Sequence, residues 1–403
     1  MKKYDLITPE GTSDLLLKDC QIRSKVEVEI QNIFKSKGYN EVVTPGIEFF
    51  DIFNLNSSYF PQETLYKTVD NKGRIIVVRP DSTMPIARLV ATRLKEHKLP
   101  IRLFYSQDVY RNKPVMRGRS NEILQTGIEL IGSDSKRADL EVITTAIEVL
   151  SSCSDGNFRL EIGDIAFFKE LVNMLCIDED AKESIRELIE TKNYPALNDL
   201  LDSIGNNDVA YALKQLPRLF GGEEVFSKAM KLVNNEKINT ILNNLKDIFD
   251  CIKELGYNGK ITVDLGIVNK LDYYTGVVIK GYMQGYGTSV LSGGRYNNLI
   301  KEFGYDVPAT GFAVNIDAVT KIIKASQKQI DSTADAIIFG KNGYEIKALM
   351  HLKKLTDSGS IIENSVFETI EETISYAKQK GIPKVIVVSD KIEEIVSGGA
   401  NNE

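Results

Sequence analysis

Two strand-like runs, 101–110 and 123–131, stand on either side of a loop rich in Arg, Lys, Pro and Gly, and the second reads as the antiparallel partner of the first. A chain carrying such a pair must build a sheet. On the second run Gln125 and Glu129 stand four residues apart, so both point to one face. Other strands are expected at 41–44, 65–69, 74–79, 158–163, 260–265, 277–283, 288–292 and 311–314, with Asp70-Asn71-Lys72-Gly73 as the hairpin turn between 65–69 and 74–79. Helices are expected at 22–37, 139–151 and 317–325. The first places Val26, Ile30, Ile33 and Phe34 on one stripe and stops at Gly38. Another helix follows Pro80, with Ser82 as its cap and Pro85 in its first turn.

From about 164 to 258 the apolar residues recur at three and four, punctuated by Asn206-Asn207 and Gly221-Gly222. This predicts an all-helical insertion between strands. After a polar linker at 327–333 the pattern restarts as strand 336–339, helix 344–356, strand 360–366, helix 369–379 and strand 384–388. That alternation predicts a small C-terminal α/β domain over 334–396, of about seventy residues and near the lower limit for independent stability. The fold class is therefore α+β: an antiparallel sheet core over 1–326 flanked by helices, carrying the insertion, then the small domain.

Composition narrows the function. The chain of 403 residues is 42% hydrophobic and 26% charged, the balance of a soluble globular protein. No apolar run approaches the ~20 residues of a membrane span, and the start lacks the apolar core of a signal peptide. The four cysteines, Cys20, Cys153, Cys176 and Cys251, are scattered, which argues against zinc and a disulfide framework and for a cytoplasmic location. A net charge of −6 lowers the expectation of nucleic-acid binding, whose affinity comes largely from phosphate neutralisation. The only histidines, His97 and His351, lie outside any motif, so histidine-based acid–base or metal chemistry is not expected.

The stretch 269–298 reads Asn-Lys-Leu-Asp-Tyr-Tyr-Thr-Gly, then strand, turn and strand, then Gly-Gly-Arg-Tyr-Asn-Asn. Its paired Tyr273 and Tyr274 are of the kind that walls an amino-acid pocket, and the positions just before the pair are Asn269 and Lys270. This stretch resembles the histidine-specific signature of histidyl-tRNA synthetases, where an arginine stands in the place of Asn269. Further signatures follow in that family's order. Pro9-Glu10-Gly11-Thr12-Ser13-Asp14 is similar to the opening motif, and Gly38-Tyr39 with Thr44-Pro45 to the class II dimer seam. Val78-Arg79-Pro80-Asp81-Ser82-Thr83 resembles the Arg-Pro-Glu-Gly-Thr loop. Arg111, Gly118-Arg119 and Gln125-Thr126-Gly127-Ile128-Glu129 resemble the second class II motif, while 293–296 and 308–313 resemble the third.

The resemblance implies a free amino-acid pocket. It places Asp81 and Thr83 at the ammonium group, Gln125 near the carboxylate, and Glu129 with Tyr274 at an imidazole. Asp81 and Ser82 depart from the family's Glu and Gly. Taken without the neighbouring signatures, Gln125 and Glu129 are polar strand residues and the tyrosines ordinary aromatics. The resemblance also implies three cations aimed at the α-phosphate of ATP. Arg111 is kept, Asn269 replaces the second, and Asn315-Ile316-Asp317-Ala318 lacks the third. The Glu that follows the second motif's arginine is absent as well, with Asn112 and Lys113 there. Losing one such donor commonly costs ~100- to 1000-fold in rate. Lys270 is one residue out of register for a rescue, which on a strand means the opposite face. The tail is shorter than the family's anticodon-binding domain and rich in Glu, either a reduced remnant or an unrelated module. The insertion interleaves its charges of both signs, as a solvated face does.

A retained pocket with lost chemistry and a reduced tail is similar to the regulatory subunits of short-form ATP phosphoribosyltransferase. That resemblance implies a chain with no catalysis and no cofactor of its own, dimeric through the first motif within a hetero-oligomer. It would activate a catalytic partner in the first step of histidine biosynthesis and carry feedback inhibition by histidine. The implied histidine site is Asp81, Thr83, Arg111, Gln125, Glu129, Tyr273 and Tyr274. A divergent active histidyl-tRNA synthetase and a stand-alone amino-acid-binding protein remain as alternatives, with Ala318 and Asn269 speaking against the former.

Overall fold

An apolar stripe of Ile22, Val26, Ile30 and Phe34 buries one side of helix α1 (Lys18–Ser36), with Ile33 only partly covered. Gly38 follows the helix with φ 79°, a left-handed geometry that glycine adopts without steric cost. Phe34 meets Phe104 and Phe312 of the sheet at ring-centroid distances of 6.0 and 5.8 Å. Each aromatic buried this way stabilises the fold by roughly 1.5–3 kcal/mol. The computed structural model describes residues 8–55, 60–112, 120–205, 207–233, 235–268, 273–326 and 334–396. The chain divides into two compact units, Met1–Ser326 and Gln327–Glu403.

Among the described residues the first unit holds a nine-stranded sheet. Its order is β1 (Asn40–Glu41), β5 (Ile101–Tyr110), β6 (Glu122–Ile131), β12 (Ala309–Asn315), β11 (Leu291–Arg295), β10 (Val277–Met283), β7 (Phe158–Asp164), β9 (Ile261–Asp264) and β8 (Phe220–Gly221). The expected antiparallel partnership of the two long strands is present along their whole length, from Ile101 opposite Ile131 to Tyr110 opposite Glu122. The sheet as a whole is mixed, because β1 with β5 and β7 with β9 run parallel. The strand expected at 41–44 shortens to two residues, after which Thr44 turns its N–H to the Gln107 side chain instead of a ladder. The hairpin around Gly73 joins β3 (Lys67–Val69) to β4 (Ile75–Val78), and β4 also pairs with β2 (Ile47–Phe49) in a separate three-stranded sheet.

Helix α2 (Thr83–Arg93) starts where Ser82 was expected to cap it, but the cap is Asp81, whose Oδ1 accepts from the Met84 N–H at 3.1 Å. Ser82 has helical backbone angles there, so its hydroxyl does not face the free N–H groups. Helix α3 (Lys136–Ser154) packs on the sheet behind β10 and β12. The insertion contains α4 (Ile165–Asn173), α5 (Glu179–Glu190), α6 (Tyr194–Ile204), α7 (Asp208–Gln215), α8 (Glu224–Leu232) and α9 (Glu236–Ile252). Asp164, Asp178, Asn193, Asn207 and Asn235 each accept a backbone N–H at the start of one of these helices. The insertion is not all-helical: Phe220 and Gly221 pair with Asp264 and Val263 as an added edge strand. The Gly221-Gly222 pair, read as punctuation, is the end of that strand and its exit. Helix α10 (Ile316–Ser326) closes the unit against α1.

The second unit alternates as expected through β13 (Ala336–Gly340), α11 (Glu345–Asp357), β14 (Ile362–Asn364), α12 (Ile370–Lys380) and β15 (Lys384–Val388). It adds an antiparallel strand that the sequence reading missed, β16 (Ile392–Val396). Ile337, Phe339, Val385 and Val387 pack toward Ala377 of α12, while Ala336, Ile338, Ile386 and Val388 pack toward Ala348 of α11. A parallel strand covered on both faces has no polar side to alternate with.

One buried ion pair ties α3 to the sheet. Arg295 at the end of β11 bonds Asp139 of α3 at 2.9 Å and also donates to the Ser133 carbonyl at 3.0 Å. Asp139→Ala would leave the guanidinium short of its main partner, and a destabilisation of about 3–5 kcal/mol is expected by urea titration. A loss below about 1 kcal/mol, the scale of an exposed pair, would contradict that role. Gly311 of β12 lies opposite Glu129 of β6, and a Cβ on it would run into Glu129 Oε2 and the Ile128 carbonyl. Gly311→Ala should therefore cost about 1–3 kcal/mol, read as a lowered denaturation midpoint.

Candidate functional site

The loop entering α2 is pinned from below by Arg79. Its guanidinium is buried and donates to the Thr44 carbonyl at 2.8 Å, to Gln107 Oε1 at 3.1 Å and to the Asp108 carbonyl at 2.8 Å. These bonds hold Pro80, Asp81 and Thr83 against the ends of β5 and β6. Arg111, just beyond β5, donates its Nε–H to the Pro80 carbonyl at 2.8 Å and brings Nη2 to 3.8 Å from Asp81 Oδ2. Asp81 is buried; burial pushes its carboxyl up, and the Arg111 charge and the backbone N–H groups of Met84 and Thr83 pull the other way.

Glu129 is 1% exposed. Its Oε1 accepts from the Thr83 hydroxyl at 2.9 Å and its Oε2 from the Tyr296 hydroxyl. Burial pushes the Glu129 carboxyl up to about 8, against the two hydroxyl donors, with the neighbouring Asp81 charge adding to the rise. Tyr273 and Tyr274 form the opposite wall, with ring centroids 4.7 Å apart and Tyr296 5.9 Å from Tyr273. Lys169 of α4 donates to the Tyr274 carbonyl at 3.2 Å, and the Ile165 N–H bonds the Gly276 carbonyl at 3.0 Å, so the insertion is tied to this wall.

These residues enclose a cavity of about 90 Å³. All seven of Asp81, Thr83, Arg111, Gln125, Glu129, Tyr273 and Tyr274 line it. Sequence reasoning missed Tyr296 and Ser292 as lining residues. Tyr296 was visible as the last residue of Gly-Gly-Arg-Tyr, but its reach to Glu129 spans 167 positions of the chain. The Thr83 hydroxyl donates its proton to Glu129, which leaves its oxygen lone pairs as the acceptor an ammonium group would use. Gln125 Oε1 is buried with no hydrogen-bond partner among the described residues, an acceptor that a ligand donor would satisfy. Asn269, Lys270, Lys113, Gly118 and Arg119 lie outside the described residues.

A second cavity of about 330 Å³ shares Arg111, Gln125, Ser292 and Ala313 with the first. Asp317, Ala318 and Lys321 of α10 line it. Ala318 presents only a methyl group, and its N–H is held by Asn315 Oδ1 at 2.9 Å. Asp317 is spent on structure: Oδ2 accepts from the Leu124 N–H at 2.7 Å and Oδ1 pairs with Arg23 at 3.3 Å. Among the described residues no group of His, Cys, Asp and Glu has the arrangement of a metal site.

The histidyl-tRNA synthetase family model matches residues 11–319. An ATP phosphoribosyltransferase regulatory subunit from Clostridium acetobutylicum is 39% identical over 390 residues, covering 96% of this chain and 95% of that one. Its counterpart from Bacillus cereus is 36% identical over 405 residues, covering 98% and 94%. A crystal structure from Bacillus halodurans C, described as an ATP phosphoribosyltransferase regulatory subunit/histidyl-tRNA synthetase, superposes with TM-score 0.83 at 28% identity, covering 93% of this chain and 97% of that one. Histidyl-tRNA synthetase from Nostoc sp. PCC 7120 shares the fold with TM-score 0.81 at 19% identity, covering 98% of each. With a synthetase-like fold and similarity to the regulatory subunits along nearly its whole length, the chain belongs to the ATP phosphoribosyltransferase regulatory subunit family.

Proposed function

We propose that the chain is a non-catalytic subunit that activates an ATP phosphoribosyltransferase catalytic partner and carries feedback inhibition by histidine in the first step of that amino acid's synthesis. The observation that carries this reading is the charge set of the small cavity: Asp81, Glu129 and Arg111 around aromatic walls, beside a larger cavity where Ala318 offers no cation. Asp81 suits an ammonium group, Arg111 a carboxylate, and Glu129 a ring N–H. Transfer of an adenylyl group needs fixed positive charge at the phosphate in flight, and the α10 wall supplies only Lys321 beside the acidic Asp317.

Inhibition follows from linkage. Histidine must bind one assembly state more tightly than another, and a tenfold shift in the balance takes about 1.4 kcal/mol of differential affinity. The reading includes a homodimer within a hetero-oligomer, working in the cytoplasm without nucleic acid, membrane or cofactor. Apolar side chains support the dimer: Val43 is 75% exposed, and Ile47, Phe49, Val69 and Ile75 are exposed on the three-stranded sheet and its approach. No described helix is long and apolar enough to cross a membrane.

Reconstitution tests the reading. The purified chain added to the isolated catalytic subunit should raise phosphoribosyl transfer, and L-histidine should lower it; a rate indifferent to the chain would refute the proposal. The chain with ATP, histidine and pyrophosphate should show no exchange above background, and measurable exchange would favour an active synthetase. In calorimetry Glu129→Ala should weaken histidine binding by at least about tenfold, and unchanged affinity would move the effector to another site.

A further inference from the structure

Each oxygen of Glu129 already accepts one hydroxyl, from Thr83 and from Tyr296, and keeps one direction for a ligand. Among the described residues no cation forms an ion pair with it. The ionisable groups that face it are Asp81 before α2, Tyr105 on β5, Tyr273 and Tyr274 before β10, and Tyr296 after β11, while Tyr39 after α1 turns its hydroxyl to Glu141 instead. The tyrosines are neutral, held above their usual range by burial. Among the described residues that line the cavity the cation is Arg111, and it is turned to Pro80 and Asp81. A carboxylate in these surroundings gains little from losing its proton until something cationic arrives.

We propose that Glu129 binds the ligand's imidazole through one shared proton, and that Tyr296 is the positioning residue that tunes this pairing and with it the selectivity of the site. This rests on the histidine reading above. In the empty site at neutral pH the proton sits on Glu129. The imidazole arrives neutral, since its ordinary value lies near 6.5. In the complex the carboxyl O–H meets a ring nitrogen, and the proton either stays or crosses to leave carboxylate and imidazolium. Both forms hold the same single proton, so binding exchanges none with solvent.

A permanent cation such as the arginine side chain must instead expel the Glu129 proton, and it is disfavoured at neutral pH. Glu129 releases its proton at about 8 in the empty site. Above that value the neutral imidazole and the carboxylate must take a proton up, so histidine affinity falls about tenfold per pH unit. Below about 6.5 the imidazolium must give one up to a site already protonated, and affinity falls again. Arginine, if it binds, strengthens as pH rises toward 8, where histidine affinity is level. The Tyr296 hydroxyl supports the carboxylate form, so removing it moves the alkaline limb upward.

The test is calorimetric titration of the full chain with L-histidine from about pH 5.5 to about pH 9.5, in pairs of buffers that differ in ionisation heat. The expected result is no proton exchange near pH 7 and a plateau with a limb on either side. Tyr296→Phe should shift the alkaline limb up by about one unit. Glu129→Gln should abolish it, leaving only the limb of the ligand's own ammonium group. A lost packing contact would weaken binding evenly across pH and leave the limbs in place. Uptake or release of a whole proton near pH 7 would overturn the inference while leaving the histidine site intact, as would a limb unmoved in both variants. Absence of histidine binding at every pH would overturn the functional reading together with it.

Discussion

Glu129 sits on a central strand, and no described cation pairs with it. A buried carboxyl group is costly unless its oxygens are satisfied from within. Much of the cavity is arranged to meet that demand. Thr83 comes from the first turn of α2 and Tyr296 from the residue after β11. Gly311 on the paired strand carries no side chain, which leaves the space that the carboxyl group occupies. Three distant segments are thus fixed relative to one another by a single polar group. Any ligand that reaches Glu129 acts on all three.

The cations of this core serve the frame more than the ligand. Arg79 spends its donors on the Thr44 and Asp108 carbonyls, and Arg295 on Asp139 and the Ser133 carbonyl. Both are buried, and both hold backbone segments that no hydrophobic contact could orient as sharply, because a planar guanidinium donates in fixed directions. Arg111 is the exception that borders both cavities, and even it is anchored to Pro80. A site so built holds charge complementary to a zwitterion in the small cavity. Among the described residues, the positive charge lining the large one is Arg111 and Lys321. The helical insertion reaches the same cavity through Lys169 and the Tyr274 carbonyl, a direct physical link between the tyrosine wall and the insertion.

Much of this was legible beforehand. The β5 boundaries agree with the sequence reading, because Ile101 and Val109-Tyr110 at its ends and Phe104-Tyr105 within it are strand formers. The insertion helices were legible from their apolar period, and their Asp and Asn caps stand where the structure uses them. Local chemistry misled at Ser82, where Asp81 one position earlier has the better geometry for the free N–H groups. It misled also at Gly221, where an edge strand forms only because Val263 and Asp264 lie alongside. Strand β16 was missed because Ile-Glu-Glu-Ile-Val has charges on it, as an exposed edge strand does.

By itself the sequence determined most of the helices and the long strands and which side chains are available for a site, since period, caps and turn residues act over a few positions; the edge strands β8 and β16 it did not. It also determined that Gln125 and Glu129 share a face, because strand alternation permits nothing else. Only the tertiary structure decided that Tyr296 serves Glu129, that Thr83 is engaged with it, and that Gly311 must be empty beside it. Those relations join residues from strands and helices distant in sequence. They are set by sheet order and register, and burial then raises the proton affinity of the group they surround.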